Sequence, residues 1–397
     1  MVGDLVTGDA AVAMQDNLKS AMPAPRTSTP APSLWCRSPL RAEQVLVIAG
    51  PISLTGRYAV QGRLAAAGLE QAVQDARHAG PTPQLVLLDD RSTREGVRHA
   101  LDAVASADLV VSPYGSDLVG EAARWAGERG RVLWNHGASA DDIQRLPAVV
   151  SVASPASSYL AAALAAAAPK LHGGARVLLA VGRGAFGRAV AAGALDEAAR
   201  LGMTVVGVVS HREVPDEPDA DVLLAAGSFA DDVTLVRRFH HPPPVLVAVA
   251  GGLGNFAEAA GQRAEGVIAP SQWEEGLRTH RDHGPPAAEV VRALRARLLP
   301  RLRAGAALGH VDYPAAQAYA SVLVALRCVQ DAGAAVDDER LLAAARRLRC
   351  TTFFGRFGLA PDGRQQDHEI VVVQWHDGTK RVVWPPHAAQ ADVVIHR

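Results

Sequence analysis

One segment constrains the fold of this chain more than any other. Val45-Leu-Val-Ile-Ala-Gly-Pro-Ile-Ser-Leu-Thr-Gly-Arg-Tyr-Ala-Val-Gln-Gly62 is an apolar run that breaks at Gly50-Pro51 into a loop rich in hydroxyls and glycine, ahead of an Ala-rich helical stretch. It reads as a buried strand, a loop and a helix start in succession. In an open α/β sheet, small polar solutes sit beyond the carboxyl ends of the strands, where loop amides and helix N-termini offer unpaired donors. The segment therefore predicts both a parallel sheet and a binding loop at its edge.

The pattern repeats along the chain. Gln44 to Ala49, Gln84 to Leu88, Leu109 to Ser112, Arg131 to Trp134 and Val149 to Ala153 read as strands, separated by helical segments such as Gly62 to Ala79 and Leu118 to Gly130. The alternation restarts with Arg176 to Val181, Thr204 to Val209, Asp221 to Ala226, Val245 to Ala250 and Gly266 to Ala269. Strands alternating with helices predict parallel sheets with crossover helices, here two doubly wound lobes. A helical stretch from Pro286 to Ala332 and a hairpin from Glu369 to Trp384 around Asp377-Gly378 close the chain.

Composition narrows the function. Lys+Arg of 40 against Asp+Glu of 41 gives no basic face for nucleic acid or an anionic membrane, which favours a small-molecule ligand. No apolar run reads as a transmembrane helix. Cys36, Cys328 and Cys350 are too scattered for a zinc site or a redox pair, and two packed thiols are preferred over a Cys328–Cys350 bridge, which an oxidising compartment would allow. The histidines form no cluster at metal spacing, and no nucleophile elbow, P-loop or HExxH motif is present. Neither a metal nor a cofactor is expected, and the chain is not expected to be an enzyme. Residues 1–42, acidic and then rich in Pro, Ser and Thr, read as a disordered lead without a signal-peptide core.

Several motifs occur in an order that resembles the type I solute-binding proteins, the branched-chain amino acid and amide receptors of bacterial ABC importers. They are Leu88-Asp89-Asp90 with Ser92, Ser112-Pro-Tyr-Gly-Ser116, Trp134-Asn-His-Gly-Ala-Ser139, Ala185-Phe-Gly187, Gly227-Ser-Phe-Ala-Asp231, Pro270-Ser-Gln-Trp273, Tyr313 through Tyr319, Phe354-Gly355 and Asp362-Gly363. The resemblance implies two hinged lobes crossed three times by the chain. Lobe 1 is expected to comprise 43–153 plus about 278–332, and lobe 2 to comprise 154–277 plus about 333–388, with a tail at 389–397. It also implies an extracytoplasmic receptor working with an ABC permease on an aliphatic amino acid or amide. A cytoplasmic sensor of the same fold is the alternative, since no signal peptide is visible in the sequence.

The expected ligand-binding residues are Tyr58, Gln61, Ser116, Ala138, Ser139, Phe186, Asp231 and Trp273. Ser116 and Ser139 stand at helix starts, where unpaired amides and the helix dipole favour a carboxylate, and Ser139 precedes Asp142 in a capping-box-like spacing. The resemblance assigns Asp231 to a ligand ammonium and places Phe186 where a Tyr is common. Tyr58, Gln61 and Trp273 are expected as pocket walls. His136, in the second ligand loop, reads as a donor to the solute or as a support behind it.

Gly182-Arg-Gly-Ala-Phe-Gly187 competes with this reading, because GxGxxG between a strand and a helix is the dinucleotide fingerprint and suggests an NAD(P)-dependent oxidoreductase. Against it, the following strand ends without a clean acidic residue. Glu213 comes only after Ser210-His-Arg and just before Pro215.

Overall fold

The first strand, β1 (Leu46–Ile52), is almost entirely buried and pairs in parallel with strands on both sides, which explains its unbroken apolar composition. The computed structural model describes residues 45–79, 83–299, 310–333 and 337–396, all within one compact unit. After β1 come α1 (Ala59–Ala79), β2 (Pro83–Asp89), α2 (Arg94–Ala103), β3 (Leu109–Val111), α3 (Ser116–Glu128), β4 (Leu133–Asn135), α4 (Asp141–Gln144) and β5 (Val149–Ser151). These strands form a parallel sheet in the order β2-β1-β3-β4-β5.

The chain then enters the second lobe with α5 (Ser157–Ala167), β6 (Arg176–Val181), α6 (Ala185–Arg200), β7 (Thr204–Val209), β8 (Val222–Ala226), α7 (Phe229–Arg238), β9 (Val245–Ala248), α8 (Phe256–Ala260) and β10 (Ile268–Ser271). It crosses back into α9 (Ala287–Leu298), α10 (Tyr313–Ala332), α11 (Asp338–Arg347), β11 (Cys350–Thr351) and β12 (Arg356–Phe357). The last crossing delivers β13 (Val371–His376) and β14 (Thr379–Trp384) as an antiparallel hairpin on the second sheet, whose order is β14-β13-β10-β9-β8-β6-β7.

One expected boundary is corrected. The stretch from about 333 to 388 is expected in lobe 2, but Leu341, Ala344, Phe353, Phe357 and Leu359 belong to the apolar core built on β1, α1 and α10. The amphipathic α11 has its apolar face satisfied by α10, so the third crossing comes only after Leu359. Residues 1–44, including Cys36 and the proposed lead, lie outside the described residues. Cys328 and Cys350 are free, buried thiols whose pKa values burial raises, Cys350 to about 12. No helix among the described residues is long and apolar enough to cross a membrane.

The three crossovers are tied together where they pass. Ser154 on the first donates its N–H to Gln272 Oε1 on the second at 2.9 Å, and its Oγ lies 2.7 Å from His368 Nδ1 on the third. A buried ion cluster makes a second junction between the lobes. Lys380 of β14 contacts Glu274 at 2.9 Å and lies 3.6 Å from Asp312, the N-cap of α10.

Candidate ligand-binding site

Each sheet reverses its strand order once near its first strand, between β1 and β3 in the first lobe and between β6 and β8 in the second. Such switch points leave a crevice at the carboxyl ends of the strands, because the flanking helices depart to opposite faces. Here the two crevices face each other across a cavity of about 560 Å³. Its walls are the loops after β1, β3 and β4 from one lobe and those after β6, β8 and β9 from the other, with Tyr159 of α5 and Tyr313 of α10 at the sides.

The acidic pair after β2 shapes the first loop. Asp89 accepts the N–H groups of Leu54 and Thr55 and the Thr55 hydroxyl, and Asp90 accepts the Ser53 hydroxyl at 2.7 Å. Burial works against ionisation of Asp89, yet these bonds hold its carboxyl below its ordinary pKa. Ser92 Oγ accepts the Tyr58 N–H at 3.1 Å and donates to the Thr55 carbonyl. The loop therefore presents Arg57, Tyr58 and Gln61 to the cavity from a fixed base.

In the second loop, Gly115 has a φ of +96°, and a Cβ there would lie 2.7 Å from the Tyr58 ring. Only glycine permits both the backbone conformation and the ring packing. Gly115 donates to the Gly137 carbonyl at 2.9 Å, binding the second loop to the third. Ser116 is the first residue of α3, and both it and Asp117 line the cavity. Asp117 is engaged on both oxygens, by the Tyr58 hydroxyl at 2.8 Å and by the Arg57 guanidinium.

Asn135 braces the third loop. Its Oδ1 accepts the Gly137 and Ala138 N–H groups, and its Nδ2 donates to the Ala138 carbonyl and to Ser151 Oγ. Ala138 is thereby folded inward, 2% exposed and absent from the cavity wall. Ser139 lines the cavity but does not cap α4, whose N-cap is Ala140. Its hydroxyl lies 2.8 Å from the Tyr159 hydroxyl, which also accepts from Gln272 Nε2. One of the two hydroxyl protons makes the Ser139–Tyr159 bond, so the other remains for a bound solute. His136 is fully buried within this loop, with both ring nitrogens unpartnered among the described residues and burial lowering its pKa to about 4.

The second lobe offers mainly backbone. In Gly182-Arg-Gly-Ala-Phe-Gly187, a Cβ on Gly187 would lie 1.8 Å from the Gly182 carbonyl, so the third glycine lets α6 start directly against β6. Gly184 caps α6 without a side-chain bond, and Phe186 lines the cavity with its ring edge-to-face against Tyr159 at 5.5 Å. Glu213, the acid just beyond the strand that follows α6, closes a capping box with Ser210 and accepts its N–H at 2.8 Å.

Asp231 and Trp273 do not reach the cavity. Asp231 is exposed and forms a capping box with Ser228, accepting its hydroxyl at 2.7 Å, and that bond holds its pKa below the ordinary value. Trp273 is 1% exposed, donates to the Phe353 carbonyl and packs edge-to-face on that ring within the core. Asp232, which the sequence does not distinguish from its neighbour, is the buried carboxylate. It accepts Gly227 N–H at 2.8 Å, Ala250 N–H at 2.9 Å and lies 2.7 Å from His211 Nε2. Gly227 and Ala250 both line the cavity, so Asp232 ties together two of its loops.

Tyr114, Asp117, Tyr159 and Tyr313 also line the cavity although the sequence reading left them off the site. Tyr114 lies inside a motif already singled out, and Tyr159 opens the helix directly after the first crossover. The starts of α3, α6 and α7 thus converge on one cavity whose sole lining carboxylate among the described residues, Asp117, is neutralised by Arg57. Unpaired amides and aligned dipoles at those starts favour a bound anion.

Solved structures of low sequence identity share this architecture. A leucine-binding protein from Thermotoga maritima is 16% identical, with a TM-score of 0.70 over 85% of this chain and 97% of its own. A branched-chain amino acid transporter substrate-binding protein from Streptococcus pneumoniae, in complex with isoleucine, is 16% identical with a TM-score of 0.70 over 89% of this chain and 100% of its own. An ABC transporter solute-binding protein from R. palustris, in complex with benzoate, is 17% identical with a TM-score of 0.69 over 88% of this chain and 99% of its own. No curated protein sequence matches significantly. The family model for periplasmic binding proteins matches residues 46–380, spanning both lobes and all three crossovers, and the chain belongs to that family.

Proposed function

We propose that this protein is the extracytoplasmic solute receptor of an ABC importer and that its ligand is a small carboxylate with an apolar or aromatic body. The observation carrying this reading is the charge balance of the cavity. Three helix N-termini meet there, while Asp117 is already held by Arg57 and Tyr58. A carboxylate would take the amides at the start of α3 and the spare proton of the Ser139–Tyr159 pair. The rings of Tyr58, Tyr114, Tyr159, Phe186 and Phe229 would enclose its body. Ser116, Ser139, Tyr58 and Phe186 keep their expected roles in this reading. An aliphatic amino acid is less well supported, because Asp231 is turned to its own helix cap and, among the described residues, no free carboxylate faces the cavity to receive an ammonium.

Function would follow from closure. The first lobe binds the carboxylate, the second brings α6 and α7 onto it, and the closed form is presented to the permease. Calorimetry with leucine, its deaminated counterpart 4-methylpentanoate, and benzoate tests the ligand class. The carboxylates without an ammonium should bind at least as tightly as leucine. Binding of leucine with none of 4-methylpentanoate would restore the amino acid reading.

A further inference from the structure

Gln61 faces the cavity from the first turn of α1, is 8% exposed, and has an Oε1 with no hydrogen-bond partner among the described residues. A buried polar atom left unpaired is destabilising, and native structures rarely retain one without a use. The ordinary structural use of a glutamine at this helix position is to reach back to the N–H of the residue preceding the helix. That N–H belongs to Tyr58 and is already donated to Ser92 Oγ at 3.1 Å. The carboxamide is therefore not required by its own helix.

Tyr58, Tyr114 and Tyr313 line the same cavity and are only partly committed. The Tyr58 hydroxyl is spent on Asp117, but the Tyr114 and Tyr313 hydroxyls meet each other at 3.4 Å, the outer limit of a hydrogen bond. The Tyr58 and Tyr114 rings pack edge-to-face at 6.0 Å, giving this side of the cavity an aromatic surface. Helices α1 and α10 run side by side, joined lower down by the Tyr319 hydroxyl donating to Asp75 at 2.7 Å, so that the ends bearing Gln61 and Tyr313 both open on the cavity.

We propose that Gln61 is a specificity-determining residue that pairs with a neutral hydroxyl or carboxamide on the ligand, separate from its carboxylate. This rests on the carboxylate reading above. A carboxamide both donates and accepts, so rotation of its terminal torsion presents either end, and a ligand hydroxyl complements both. An apolar ligand atom in the same place leaves the amide unpaired, which is the means by which polar pockets reject analogues lacking a hydroxyl.

The test uses calorimetry on the full chain with two matched pairs of probes, benzoate against 4-hydroxybenzoate and 3-phenylpropionate against 3-(4-hydroxyphenyl)propionate. The wild type should bind the hydroxylated member of at least one pair tenfold or more tightly. In Gln61→Leu that preference should collapse to within about twofold, through loss of the hydroxylated probe while its partner is retained, with thermal melts verifying the fold. Gln61→Asn, which keeps the amide on a shorter stem, should restore part of the preference. A tenfold preference that survives Gln61→Leu, or equal binding within both pairs by the wild type, overturns the proposal and leaves the carboxylate reading intact. Failure of all four probes to bind the wild type removes both.

Discussion

The two walls of the cavity are built differently. The first lobe presents side chains whose positions are set by other side chains: Tyr58 by Asp117, Ser139 by Tyr159, and the loop of Ala138 by Asn135. The second presents mainly glycines, alanines and helix starts, with Tyr159, Phe186 and Phe229 as its aromatic contacts and Asp232 as the buried carboxylate that holds two loops together. Side chains discriminate among ligands because each differs in shape and donors, whereas backbone amides contact any suitably placed acceptor. In the proposed function the first lobe would select and the second would close.

This contrast breaks most directly at the adjacent aspartates. Asp232→Ala leaves the Gly227 and Ala250 amides and His211 without their acceptor, so it should cost about 3–5 kcal/mol of stability and abolish measurable binding of a ligand recognised by wild type. Asp231→Asn weakens only an exposed cap, and should cost about 1 kcal/mol or less with binding within about twofold of wild type. Thermal melts and calorimetry on both variants decide it. A larger binding loss from Asp231→Asn would return that residue to the ligand and undo the division between the walls.

A second comparison sets the lobe 1 loop and the hinge against acid. Burial lowers the pKa of both His136 and His368 to about 4. In the unfolded chain each takes a proton near the ordinary value of about 6.5. Unfolding therefore binds protons between those values, and stability present above about pH 6.5 is lost as pH falls, reaching about 3 kcal/mol per histidine below pH 4. The thermal midpoint should drop between pH 7 and 4.5. A flat profile would mean that neither ring is held neutral.

The smallest effect sharpens the role of the first lobe. Ser139→Ala removes one hydroxyl of the Ser139–Tyr159 pair and should weaken a carboxylate ligand by about 1 kcal/mol, roughly fivefold, with little change in the melt. An unchanged affinity would place the carboxylate elsewhere in the cavity.

Much of the fold was legible because it rests on local chemistry. Apolar runs such as Leu46–Ile52 and Val222–Ala226 admit little besides buried strands, and the glycines of Gly182 to Gly187 announce a strand turning into a helix. Ser116, Ser139, Tyr58, Gln61 and Phe186 follow such strand ends and do line the cavity. The apolar patterning of α11 also shows a face to be buried, but not against which lobe, since either sheet would accept it.

The sequence by itself therefore determined the alternation of strands and helices, the two lobes and the loops that line the cavity, because these depend on residues close together in the chain. Only the tertiary structure decided which of Asp231 and Asp232 is buried, that Ala138 and Trp273 turn into the interior, and that Tyr114, Tyr159 and Tyr313 complete the wall. Those choices depend on partners such as Ala250, Phe353 and Gln272, which are remote in sequence and come within hydrogen-bond range only when strands, loops and crossovers have packed together.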